Sequence, residues 1–133
     1  MIIAVCGAPM VGKSSLIQRI KHGSFSVQYF PTKFTEIHKI IVGDAKVALV
    51  ETSDVIKCDL ALILCRRQRE VVKLWRKYCL VSRLPPVIVR VGERLEPEPR
   101  WLGHDVHTVS NLSSEGVSRL IYCIYIKHLL LNK

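Results

Sequence analysis

The chain has 133 residues, 49% of them hydrophobic, and 20 lysines and arginines against 11 aspartates and glutamates, a formal net charge of +9. That length suits a single domain, 1–133, around one core, and the apolar fraction excludes a disordered chain. No apolar run reaches the roughly 18 residues of a membrane-spanning helix, and the sequence carries no signal peptide or lipidation motif.

The first element is Met1 to Cys6, an unbroken apolar run that predicts a buried strand. Gly7 to Ser14 follows at once as Gly-Ala-Pro-Met-Val-Gly-Lys-Ser, a complete phosphate-binding loop of the G-x-x-x-x-G-K-[ST] type. A helix over Lys13–Lys21 follows, with Leu16, Ile17 and Ile20 on one side. Strand, loop and helix are the setting this loop requires. Gly7 and Gly12 let the backbone wrap a phosphate with its N–H groups inward, and the helix N-terminus adds partial positive charge. Lys13 is placed for the β- and γ-phosphates, and the Ser14 hydroxyl for Mg²⁺.

Further along, Glu36–Val42 and Lys46–Glu51 read as a hairpin around Gly43-Asp44, an antiparallel pair at one edge. Leu60–Cys65, Val87–Val91 and Asp105–Val109 read as strands joined by helices or long loops, hence parallel. A helix over Arg67–Val81 sets Arg66, Arg69, Lys73, Arg76 and Lys77 on one side. Val71, Val72, Leu74, Trp75, Tyr78 and Cys79 fall on the other. The basic side is a solvated face or a docking surface for an acidic partner; it lacks the aromatic interleaving of a single-strand nucleic-acid binder. The Glu-Pro-Glu-Pro-Arg stretch of 96–100 excludes helix. The last helix, Ser114–Leu131, has Val117, Leu120, Ile121, Ile124 and His128 on one stripe and a serine, Ser113 or Ser114, as its cap. Five cysteines (Cys6, Cys58, Cys65, Cys79, Cys123) lack C-x-x-C spacing and read as reduced core residues of a cytoplasmic protein, not as metal ligands or disulfides. The predicted fold is an α/β three-layer sandwich of the P-loop NTPase type, with a mainly parallel sheet of about six strands and one antiparallel edge hairpin.

The first third resembles the Ras superfamily of small GTPases, its Ras and Rab branches most. The resemblance rests on Gly-x-x-x-x-Gly-Lys-Ser-Ser-Leu-Ile-Gln-Arg, then Gly23-Ser24-Phe25, Tyr29 and Pro31-Thr32 in ungapped spacing. It implies a guanine nucleotide, GTP or GDP, held with Mg²⁺. Gly7, Ala8, Pro9, Met10, Val11, Gly12, Lys13, Ser14 and Ser15 would form the cradle. Phe25 would pack on the guanine, Tyr29 would close over the phosphates, and Thr32 would ligate Mg²⁺ and sense the γ-phosphate.

Past residue 50 the chain departs from the family. Glu51-Thr52-Ser53-Asp54 stands where the family has Asp-x-x-Gly. Glu51 takes the place of the carboxylate that holds Mg²⁺ through water, and Asp54 replaces the glycine whose N–H contacts the γ-phosphate. The water-positioning glutamine is missing, and the next strand begins so soon that the second switch and its helix are deleted. Where the family reads guanine with Asn-Lys-x-Asp, this chain has Glu93-Arg94-Leu95-Glu96; Arg94 and Glu96 are the residues left to meet the base. Ser110-Asn111-Leu112 stands for the family's Ser-Ala-Lys, with the serine kept. Pro9 and Met10 add bulk where a trans-acting arginine would enter.

Three functions compete on these features. The first is a small GTPase-like protein that binds guanine nucleotide, hydrolyses it slowly or not at all, and acts as a signalling or trafficking switch. Its partner, an effector of acidic character, would use the first switch loop or the basic helix 66–77. The second is a nucleotide-free pseudo-GTPase that serves as an interaction scaffold; the intact Lys13-Ser14 pair speaks against it. The third is a P-loop nucleoside or nucleotide kinase with lid arginines from 66–69, which gives Phe25, Tyr29 and Thr32 no role.

Overall fold

A computed structural model describes residues 1–7, 13–23, 26–30, 36–66, 71–92, 106–110 and 116–132. In chain order the elements are β1 (Ile2–Gly7), α1 (Lys13–Gly23), β2 (Ser26–Phe30), β3 (Glu36–Val42), β4 (Ala45–Glu51), β5 (Leu60–Cys65), α2 (Val72–Val81), β6 (Val87–Gly92), β7 (Val106–Ser110) and α3 (Val117–Leu131). They form one seven-stranded sheet in the order β2-β3-β4-β1-β5-β6-β7. β3 pairs antiparallel with both β2 and β4, while every other neighbouring pair is parallel. This is the P-loop NTPase sandwich predicted above, with one strand more: β2 adds an edge strand where the sequence reads as part of a switch loop.

The strand period sorts side chains between two layers. In β1, Ile3 and Val5 join the cluster under α1 and α3, with Leu16, Ile17, Ile20, Leu120 and Ile124. Ala4 and Cys6 point the other way, into the cluster under α2 with Ile63, Val71, Tyr78 and Ile88. β5 is buried along its whole length, as a parallel strand covered on both faces should be. A register slip of one residue would exchange the two layers, so the pattern fixes the pairing.

Two local devices position the ends of these elements. Gly116 precedes α3 with φ +86°, and a Cβ there would lie 2.0 Å from the Thr108 carbonyl oxygen. Only glycine lets α3 start this close to β7; the predicted serine cap at 113 or 114 lies outside the described residues. At the other end of α2, the Ser82 N–H donates to the Tyr78 carbonyl at 2.9 Å. The chain then runs back along the β4–β5 connector, with the Arg83 N–H on the Cys58 carbonyl and the Leu84 N–H on the Asp59 carbonyl. α2 begins at Val72, later than the periodicity suggests, and residues 67–70 lie outside the described residues.

Candidate functional site

The carboxyl ends of β4, β1, β5, β6 and β7 all reach one edge of the sheet, at Glu51, Gly7, Cys65, Gly92 and Ser110. α1, which follows β1, packs on one face, and α2, which follows β5, packs on the other. The crevice between β1 and its neighbours is therefore a topological switch point, where open α/β sheets bind ligands. The phosphate loop spans this point: Gly7 closes β1 with φ 151°, and Lys13 opens α1.

Three side chains converge there. Lys13 Nζ donates to the Gly7 carbonyl at 3.5 Å, so its ammonium lies back over the end of β1. Ser14 Oγ donates to Glu51 Oε1 at 2.8 Å. Register brings Glu51 there: Val5 of β1 stands opposite Glu51 of β4, and the Thr52 N–H donates to the Val5 carbonyl at 3.2 Å. Glu51 Oε2 is buried and has no hydrogen-bond partner. A buried carboxylate oxygen without a donor is costly, and a cation beside it removes that cost. The donor set, one hydroxyl and one carboxylate, is oxygen-only, as Mg²⁺ prefers. The residues present therefore fit Mg²⁺, and the glutamate's extra methylene does not prevent contact with Ser14.

The β4–β5 connector, 52–59, holds no helix. It is tied down. The Asp54 N–H donates to Thr52 Oγ1 at 3.1 Å, and Thr52 Oγ1 donates to the Asp54 carbonyl at 3.0 Å. The Tyr78 hydroxyl, from the buried face of α2, donates to the same carbonyl at 3.3 Å. The N–H at this position is thus satisfied inside the protein and is not presented to a ligand. Beneath the connector, burial pushes the Cys6 thiol up to about 12 and also raises the Cys58 thiol and the Tyr78 hydroxyl. All five cysteines are free, but only Cys6, Cys58 and Cys65 are the buried core residues expected; Cys79 is exposed on α2 and Cys123 is half-buried.

Among the other expected site residues, Ser110 is buried at the end of β7 and its carbonyl accepts from Arg19 of α1. This bond joins the phosphate-loop helix to the end of the last strand and was not legible in the sequence. Ser15 is exposed on the first turn of α1. Tyr29 lies in β2, opposite His38. Ala8, Pro9, Met10, Val11, Gly12, Phe25, Thr32, Arg94, Glu96 and Asn111 lie outside the described residues. Among the described residues of the basic helix, Lys73, Arg76 and Lys77 are exposed, and so are Val72 and Cys79 from the predicted apolar side. A groove of about 460 Å³ lies among Met1, Ile2, Lys39, Ile41, Lys46 and Ala48. It sits at the amino end of β1, opposite the phosphate loop, and is not part of this site.

No protein-family model and no curated protein sequence matches the chain. Its fold matches solved structures closely. The G domain of the T. maritima FeoB iron transporter superposes with TM-score 0.70 at 15% identity, covering 96% of this chain and 98% of that one. The cytosolic domain of L. pneumophila FeoB gives 0.66 at 12% identity, over 96% and 68%. The apo cytosolic domain of T. maritima FeoB gives 0.67 at 14%, over 94% and 62%. The fold is that of a G domain. The likeness supports the GTPase-type P-loop fold without singling out the Ras or Rab branch. No helix among the described residues is long and apolar enough to cross a membrane.

Proposed function

We propose that the chain is a minimal G domain that binds guanine nucleotide together with Mg²⁺ and hydrolyses GTP slowly or not at all. The observation that carries the reading is the Ser14–Glu51 contact at 2.8 Å beside Lys13, at the switch point of a G-domain sheet. Lys13 leaves the Gly7 carbonyl for the β- and γ-phosphates. Mg²⁺, when bound, neutralises phosphate charge; Ser14 and Glu51 hold it, and Thr32 is proposed as a further ligand. The remaining loop residues, 8–12, and Phe25, Tyr29, Arg94, Glu96, Ser110 and Asn111 are proposed to complete the nucleotide site.

Slow turnover follows from the connector. The connector sequence 52–59 has no glutamine to orient a water, and the Asp54 N–H is spent on Thr52. Phosphoryl transfer depends on positioning and charge stabilisation, and here the cradle stands without its water-positioning group. The domain would therefore report nucleotide binding more than nucleotide state, as a cytoplasmic switch or fixed-state module for an acidic partner on the first switch loop or the 66–77 helix. The test is twofold. GDP and GTP should bind within about tenfold of one another, and single-turnover GTP cleavage should be barely above the uncatalysed rate. A large preference for GTP, or prompt cleavage without a helper protein, contradicts the reading.

A further inference from the structure

The C-terminal helix α3 is apolar on both sides. Its inner face buries Val117, Leu120 and Ile124. Its outer face carries Tyr122, 66% exposed, Leu129 at 44% and Leu130 at 46%, with half-buried Ile126 between them. The spacing i, i+4, i+7, i+8 puts these four on one stripe, about 12 Å long at the helical rise. A helix that is apolar all round is ordinarily covered on all sides; α3 is covered on one.

We propose that this outer stripe is a docking surface for an anionic lipid bilayer. Charge and area select the occupant. Exposed Arg119 lies on this outer side, and the helix sequence from Val117 to Leu131 contains no acidic residue, within a chain of net charge +9. A second copy would set one Arg119 surface, with no helix carboxylate to meet it, against another. The stripe exposes a few hundred Å² of apolar surface, the scale of a functional patch on a monomer. A stable dimer needs roughly 800 Å² from each partner. A bilayer needs no matching partner surface. The helix lies flat, its leucines enter the acyl boundary, and Arg119 meets phosphate and carboxylate headgroups. Tyr122 keeps its hydroxyl at headgroup level. The stripe faces away from the sheet, so docking leaves Lys13, Ser14 and Glu51 open to nucleotide.

The competing surface is the outer side of α2, where Leu80 is 88% exposed among Lys73, Arg76 and Lys77. Val72, 44% exposed, and Cys79 are exposed on that side too, but Arg76 interrupts the apolar surface they form with Leu80. Sedimentation of the full chain with vesicles of phosphatidylcholine alone, or of phosphatidylcholine with phosphatidylserine, decides between them. Binding to the serine-containing vesicles should be about tenfold stronger or more and should fall with salt. The double variant Leu129→Ser/Leu130→Ser, and separately Tyr122→Gln should the first not fold, should lose about tenfold and about threefold. Leu80→Ser should change it less than about twofold. Circular dichroism confirms that each variant is folded. The proposal is overturned by equal sedimentation with both vesicle types, by none with either, or by loss in Leu80→Ser alone. It is overturned equally if the chain self-associates in the ultracentrifuge and the α3 variants restore the monomer.

Discussion

Replacing Glu51 by glutamine should move stability and metal dependence in opposite directions. Without ligand, the wild-type carboxylate receives one hydrogen bond, from Ser14 at 2.8 Å, and its second oxygen is buried without a donor. The amide loses the charge assistance in the Ser14 bond, worth about 1 kcal/mol at this half-exposed position. It also replaces the unpartnered charged oxygen by a neutral amide group, which lowers a burial cost of about 1–3 kcal/mol. The balance is a ligand-free domain unchanged or stabilised by up to about 2 kcal/mol. For a chain of this length, that is a rise in Tm of zero to about 7 °C. With Mg²⁺ and GDP the sign reverses, because the amide attracts the cation less and affinity should fall about 10- to 100-fold. Thermal melts with and without Mg²⁺, and with and without GDP, read both effects in one experiment. A variant that melts several degrees lower without ligand, yet keeps the full Mg²⁺-dependent stabilisation, would refute the argument from the orphaned oxygen.

Gly116→Ala should destabilise by about 3 kcal/mol or more, since it combines positive φ with a Cβ 2.0 Å from the Thr108 carbonyl oxygen; urea melts measure it. Tyr78→Phe removes one hydrogen bond to the Asp54 carbonyl and should cost about 1 kcal/mol, with faster amide exchange confined to 52–58. Exchange that is unchanged there would mean that Tyr78 does not hold the connector. Stability should also fall at alkaline pH. The Cys6 thiol stays protonated in the fold up to about 12, whereas the unfolded thiol ionises near 9.0. Between these values the unfolded state binds fewer protons, so stability is full below about pH 9 and declines above it by up to about 1.4 kcal/mol per pH unit. Urea melts at pH 8 and pH 10 on wild type and Cys6→Ala test this; the variant should show the weaker decline.

Much of this fold is written locally. The apolar run before Gly7, the hairpin around Gly43-Asp44 and the stripe of Val117, Leu120 and Ile124 each mark an element through its own periodicity, and the structure has all three. β2 was not legible because an edge strand is held by main-chain pairing, and β3 supplies that pairing from across a loop. The phosphate loop was legible because its chemistry demands particular residues in sequence. The Ser14–Glu51 contact was legible as two candidate ligands but not as a bond, since their meeting depends on the register of β1 against β4. The lock on the connector was hidden for the same reason. Thr52 and Asp54 read as departures from a motif, and only the packing of α2 brings the Tyr78 hydroxyl onto the Asp54 carbonyl. Gly116 falls inside the helix predicted over Ser114–Leu131, and its necessity comes from the closeness of Thr108.

The central claim is that Lys13, Ser14 and Glu51 form a working Mg²⁺–nucleotide site. Titration with fluorescent GDP, GTP and ATP, with and without Mg²⁺, beside a Lys13→Ala control, tests it most directly. The account predicts tight binding that prefers guanine, requires Mg²⁺ and is lost in the control. Absence of binding to all three nucleotides, or binding that survives Lys13→Ala and ignores Mg²⁺, would contradict it and leave the fold as a scaffold.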